Sequence, residues 1–202
     1  SMYEIITPYS TMLASYNNTV VGNTTTPIDA TNAYIAETNA ANLQADASVY
    51  ELETKNGIDV DFHLSGAMTN RAVATVGPYP VTLKVSDMFT LMLYENSLVV
   101  MEMNGPQLKA VLERAYRNYY YYKYVPGYGG YSYYTTCMLD TNFGNQITYN
   151  DLYPAAYEPT KEYVVSLEVD GIGEIDFTDA DTYYRVSTVN YLAAGSCNFN
   201  NS

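Results

Sequence analysis

Apolar residues recur at spacings of three and four in some stretches of this chain and alternate with polar ones in others. The pattern therefore predicts helices interleaved with strands. Tyr3 to Tyr16 carries Ile5, Tyr9, Met12, Leu13 and Tyr16 on one stripe, an amphipathic helix whose start Pro8 limits and which Asn17-Asn18 ends. Val20 to Ile28 reads as a strand kinked at Gly22. Thr38 caps a second helix with Ala40, Leu43, Ala47 and Tyr50 as its apolar face, stopped by Asn56-Gly57. Ile58, Val60 and Phe62 alternate with Asp59, Asp61 and His63 as in a half-buried strand, closed by Ser65-Gly66. After a loop from Asn70 to Pro80, Val81, Leu83 and Val85 alternate again, and Ser86-Asp87 opens a helical turn through Met92.

The strongest strand signal is Leu98 to Met103, followed at once by a helix start in Asn104-Gly105-Pro106-Gln107. Asn supplies the cap, Pro fits the first turn, and Gln stands three residues on, where its amide can reach back. Leu108, Val111, Leu112, Ala115 and Tyr119 form the face to be buried. Tyr133 to Leu139, Tyr163 to Val169 and Tyr183 to Thr188 are further strands, rich in β-branched and aromatic residues. The expected fold is α+β, a mixed central β-sheet with helices packed on its faces. No fixed-period repeat is present.

Composition narrows the function. A chain of 202 residues with 48% hydrophobic and 15% charged side chains is globular. Its formal net charge of −13 argues against nucleic acid polymers, whose affinity comes from Lys and Arg neutralising phosphates. The acidity suits an extracellular or cell-envelope protein. No run approaches the roughly 18 apolar residues of a membrane span. Ser1-Met2 resembles a tag remnant, so the chain is expected to be a cut domain with any leader upstream.

Tyrosine is abundant, 24 residues against no tryptophan, and it concentrates in a run from Arg117 to Tyr134. Stacking platforms for nucleic acid come with basic grooves, and that run holds Lys123 alone between its first arginine and its end. It reads as a mobile, exposed Tyr/Gly-rich loop leaving a helix. Cys137 and Cys197 permit one disulfide, but two buried free thiols is the expectation from residue type. A phosphoesterase centre of two metals needs several His, Asp and Asn ligands, and this chain has one histidine, His63, on an alternating strand. No Ser–His or Cys–His pair at motif spacing, phosphate loop or dinucleotide fingerprint occurs. A catalytic site and a metal in this chain are therefore not expected.

Five segments, in order, resemble the C-terminal, substrate-binding domain of the 5'-nucleotidase family. They are Ala41-Asn42-Leu43, the stretch Leu64 to Arg71, Leu93 to Leu98, Asn104 to Lys109, and Asn190 to Asn198. The resemblance runs from about Val20 to Phe199. It implies a domain over residues 19–202, with residues 1–18 as a helix leading from an upstream metallophosphoesterase domain that would hold a divalent metal pair. It further implies a nucleotide or nucleoside ligand, its base stacked between Tyr94 and Tyr191. Arg71 matches a phosphate-binding arginine, a role suited to a guanidinium fork. Asn96, Ser65 and Gly66 stand at ligand-binding motif positions, as does Asn39, where some members carry another arginine. The chain departs from the family at Ala67, where a glycine is usual, and at Thr69-Asn70, an insertion before Arg71. It departs again at Ser196-Cys197-Asn198, which replaces Gly-Asp-Gly and loses an acceptor carboxylate. The alternative is a non-catalytic extracellular module with a degenerate ligand site and a Tyr-rich interaction loop.

Overall fold

The structure is a computed structural model that describes residues 2–34, 36–66, 69–123, 138–151, 158, 160–197 and 199, with side chains 119–123 excepted. The chain opens with helix α1 (Met2–Asn17), strands β1 (Val20–Thr24) and β2 (Ile28–Asp29), and helix α2 (Asn39–Tyr50). Next come β3 (Phe62–Gly66), β4 (Ala72–Val73), β5 (Val81–Lys84), α3 (Val85–Leu91), β6 (Leu98–Asn104) and α4 (Gly105–Lys123). The remainder is β7 (Leu139–Thr141), β8 (Gln146–Tyr149), β9 (Val164–Val169), β10 (Gly173–Glu174), β11 (Tyr183–Val189) and α5 (Asn190–Ala193).

The central sheet has strand order β6-β11-β3-β7 and is mixed: β11 runs parallel to β3, while its pairing with β6 and that of β3 with β7 are antiparallel. A second, antiparallel sheet β10-β9-β8 lies beyond α4, and β1–β5 and β2–β4 form two-stranded pairs. Leu108, Leu112 and Ala115 of α4 pack with Phe62, Leu64 and Val186 of the central sheet and with Val164, Leu167 and Val169 of β9 in one core. A smaller core joins Ile28, Val73, Leu83 and Leu91.

The start of α4 follows from its sequence. The Asn104 N–H donates to Gln107 Oε1 at 3.0 Å and the Gln107 N–H donates to Asn104 Oδ1 at 3.1 Å, a reciprocal capping box. Gly105 is required there, because a Cβ would stand 2.0 Å from the carbonyl oxygen of Asp176. Thr38 caps α2 through its hydroxyl, which accepts from the Ala41 N–H at 3.2 Å. A π-helical turn at Glu51–Lys55 then prolongs that helix to Asn56-Gly57, where Gly57 takes φ of 65°.

Four expectations are corrected. No residue of the apolar stripe of α1 is buried, only Tyr16 at its end packing a ring on Phe89, and the helix runs through Pro8. Pro8 lies past the first turn, so it removes a helix hydrogen bond and its ring crowds the turn before it. In α2 the buried residues are Ala40, Gln44, Ala45 and Ser48, while Leu43 and Tyr50 are exposed. The helix is turned because it lies over a polar patch of β3, where Gln44 Nε2 donates to Ser65 Oγ at 3.4 Å. Strand β3 begins four residues later than the alternation at Ile58 suggests and is buried at every position, as a strand between two covered faces must be. Finally, α4 continues through the first tyrosines of the aromatic run to Lys123. The rest of that run to 137, with most of the strand expected at Tyr133 to Leu139, lies outside the described residues.

Candidate ligand site

Two of the five motif segments meet at the start of β6. The Asn190 N–H donates to the Ser97 carbonyl at 2.8 Å, and the Ser97 N–H donates to Asn190 Oδ1 at 2.9 Å. This two-way clasp joins segments 93 positions apart in sequence. Tyr94 precedes one arm of it by three residues and Tyr191 follows the other by one. Both rings are exposed, Tyr94 by 70% and Tyr191 by 54%.

An open cleft of about 710 Å³ lies against this clasp. Tyr94, Asn96, Ser97 and Asn190 line it from the motif side. From α3 and its exit come Met88, Phe89 and Met92, and from the end of α1 comes Tyr16. Tyr191 is not among the residues that wall it. Nothing in the sequence marked the α1 and α3 contributions, apart from the position of Tyr16 at the end of the amphipathic stripe.

The turn after Tyr191 is held from three directions. The Ser196 N–H donates to the Tyr191 carbonyl at 3.3 Å, and Asn118 Nδ2, on buried α4, donates to the Cys197 carbonyl at 2.6 Å. Cys197 is in a disulfide, which overturns the free-thiol expectation. The other cysteine of the sequence, Cys137, lies outside the described residues. Cys197 has φ of 57°, a left-handed conformation unusual for a side chain other than Gly, Asn or Asp. A cross-link and the Asn118 amide hold the residue in this conformation.

The other predicted residues lie on different elements. Asn39 has its amide committed to backbone, with Oδ1 accepting from the Asp29 N–H at 2.9 Å and Nδ2 donating to the Pro27 carbonyl at 2.8 Å. It staples β2 to the start of α2. Arg71 is exposed beside the same strand, its carbonyl accepting from the Ala30 N–H at 2.9 Å, and its charge acts on Tyr34. Burial pushes the Tyr34 phenol up, and Arg71 opposes that. Ser65 and Gly66 are buried at the end of β3, paired in register with Asp140 and Leu139. The structure thus brings together Tyr94, Asn96 and the Asn190–Tyr191 turn, places Arg71 with Asn39 around β2, and leaves Ser65-Gly66 in the sheet.

His63 is fully buried, with Nδ1 2.9 Å from Ser187 Oγ and Nε2 without a partner. Burial holds its pKa down at about 4, so the ring is neutral near pH 7. Asp140 is pushed up to about 6, first by burial, opposed by the Thr141 N–H and reinforced by the charge of Glu37. Among the described residues no group of three or more His, Cys, Asp or Glu side chains is placed to hold a metal ion. No helix among them is long and apolar enough to cross a membrane.

Residues 20–201 match the family model described as 5'-nucleotidase, C-terminal domain, and the chain belongs to that family. No curated protein matches it. Solved structures share its fold. The 5'-nucleotidase precursor from Thermus thermophilus is 19% identical with a TM-score of 0.65, the match covering 97% of this chain and 34% of that one. The NAD nucleotidase from Haemophilus influenzae is 21% identical with a TM-score of 0.65, over 97% of this chain and 32% of that one. A putative 5'-nucleotidase from Staphylococcus aureus is 14% identical with a TM-score of 0.62, over 94% and 34%. The chain therefore spans about a third of the length of the proteins it resembles.

Proposed function

We propose that this chain is the substrate-binding domain of a secreted, 5'-nucleotidase-like phosphohydrolase, holding the nucleobase between Tyr94 and Tyr191. The observation that carries the reading is the Ser97–Asn190 clasp, which fixes the two exposed tyrosines on adjoining turns. A base offers a flat π face, and stacking on an aromatic ring contributes roughly 1–3 kcal/mol. Asn96 lines the cleft beside Tyr94 and is proposed to face the ligand edge. Arg71 is proposed to meet the phosphate on the ground of its motif position, although it is exposed beside β2 and does not line the cleft at Tyr94. The nucleotidases among the structural relatives support a nucleotide as the ligand class.

Hydrolysis belongs, in this reading, to an upstream domain of the same polypeptide. That domain would carry a divalent metal pair, and the residues described here contain no ligand set that fits one. Two observations favour the second reading, a non-catalytic extracellular module with a lapsed site: the amide of Asn39 is spent on backbone, and a disulfide cysteine stands where the family has an acceptor carboxylate.

Titration of adenosine and 5'-AMP, followed by tyrosine ring chemical shifts, decides between them. The expected dissociation constant is about 0.1–1 mM, equivalent to roughly 4–6 kcal/mol, weakened at least about fivefold by Tyr94→Ala or Tyr191→Ala. The isolated chain is expected to release no phosphate from 5'-AMP with or without added divalent metal. Absence of binding, or binding indifferent to both substitutions, removes the base-stacking site and leaves the module.

A further inference from the structure

The stacking pair leaves part of the cleft unassigned. The cleft is open and, at about 710 Å³, roomier than a single stacked ring requires. One portion is polar and belongs to the motif segments, with Glu95, Asn96, Ser97 and Asn190. The other is apolar and is built from α1 and α3. Within it the Tyr16 ring packs on Phe89 with centroids 6.4 Å apart and planes tilted by 56°. That packing props Tyr16 while leaving it 54% exposed. A contiguous exposed apolar surface next to polar groups marks a binding site more often than a free surface. Tyr191 does not wall this space, so the part of a ligand that extends into it from a stack at Tyr94 meets Tyr16 as the aromatic group there.

From this the geometry assigns Tyr16 to the ligand site: a nucleoside whose base is stacked at Tyr94 and Tyr191 reaches the Tyr16–Phe89 pair with the part that extends past the stack, so that helix α1 is a wall of the substrate cleft. The assignment rests on the base-stacking reading above and extends it to a segment outside residues 20–201 of the family match. It has a consequence for α1 itself. The helix has no buried residue, and its 16 residues gain little order from packing on the domain. A ligand bridging Tyr94 and Tyr16 adds contacts that the free chain lacks, so occupancy of the cleft stabilises the end of α1. The nucleotide site and the preceding helix are thereby coupled through the ligand.

The test uses the whole chain and adenosine, with three variants at one position. Tyr16→Ala and Tyr16→Leu are expected to weaken adenosine binding by roughly fivefold or more, and Tyr16→Phe to retain it, because the ring and not the hydroxyl or bulk is required. Amide hydrogen exchange is expected to slow in the last two turns of α1 on saturation with adenosine, and not in Tyr16→Ala. If adenosine binds in a Tyr94-dependent way while all three variants bind like the parent and α1 exchange is unchanged, Tyr16 is not part of the site and the stacking pair stands alone. If adenosine does not bind, or Tyr94→Ala leaves its affinity intact, the base site and this extension both fall. Protection of α1 that follows protein concentration and ignores adenosine identifies the apolar surface as a contact between copies of the chain, which also overturns the assignment.

Discussion

His63, fully buried, and Asp140, partly buried, have protonation preferences displaced in opposite directions, and they act on stability with opposite signs. For His63 the folded value of about 4 lies below the unfolded value of 6.5, so the unfolded chain binds more protons between these limits. Stability from this group falls as the pH drops from 6.5 toward 4, by about 3 kcal/mol in all. Asp140 has a folded value of about 6 against 3.8, so the folded chain binds more protons across that window and stability rises on acidification by a similar amount. The two contributions offset between pH 4 and 6. Asp140→Asn keeps an oxygen for the Thr141 N–H and removes the ionisation, so the variant is expected to be more stable than the parent at pH 7. It should then lose about 3 kcal/mol between pH 6.5 and 4, where the parent stays flatter. Urea unfolding at pH 4.5, 5.5 and 6.5 measures the difference, and parallel curves for the two proteins would refute the opposed pair. Individual side chains were the least legible level of this sequence. In the sequence Asn39 is only a motif position, and the fold shows its amide already bonded to backbone at both ends. His63 reads as a structural residue from its solitude alone, and its depth depends on the second covered face of β3.

Local rules worked well wherever an element is specified by its own neighbours. The Asn104-Gln107 box, the Thr38 cap, the stop at Gly57 and the strands over Leu98–Asn104, Val164–Val169 and Tyr183–Val189 are each set by a few adjacent residues, and each is found. They fail where a distant partner chooses the face. Leu43 and Tyr50 turn outward because β3 offers Ser65 to the polar side of α2, and α1 exposes its stripe because no described core residue reaches it. The helix start at Gly105 shows how sharply a long-range contact can bear on a local signal. Periodicity asks only for a helix former near that position, whereas the carbonyls of Asp176 and Asp179 approach so closely that no Cβ fits. Both contacts are backbone, so the strain cannot be relieved by a side-chain rotation. Gly105→Ala is accordingly expected to destabilise the chain by about 3 kcal/mol, although alanine is by far the better helix former. Thermal or urea unfolding of the variant checks this, and a stability equal to or above the parent's would show that the 176–179 turn moves aside without cost.

At the scale of the whole molecule, the order of five motifs along the chain was enough to give the family, because most of these motifs mark junctions between strands and helices of one fold. What order could not give is how the C-terminal turn is tied down, since the residue that replaces the family's aspartate works through a covalent bond. Cys137 is the one other cysteine of the sequence, 60 positions before Cys197, and pairing of Cys197 with it would close a loop that carries β7 through β11. Closing a loop of that length removes chain entropy from the unfolded state worth about 4 kcal/mol, as long as the native geometry is unstrained. It also fixes the turn that follows Tyr191, together with the Asn118 amide on the Cys197 carbonyl. Two effects of a thiol reductant, or of replacing both cysteines by serine, are therefore expected. Global stability should fall by several kcal/mol, and adenosine affinity should fall further than the Tyr191 ring alone accounts for, because the turn on both sides of it loosens. Urea unfolding and adenosine titration of the oxidised, reduced and doubly substituted chains measure these separately. Equal midpoints in all three would mean that the cross-link adds nothing to stability. A lower midpoint with unchanged adenosine affinity would mean that Asn118 and the Ser97–Asn190 clasp hold the binding turn without it.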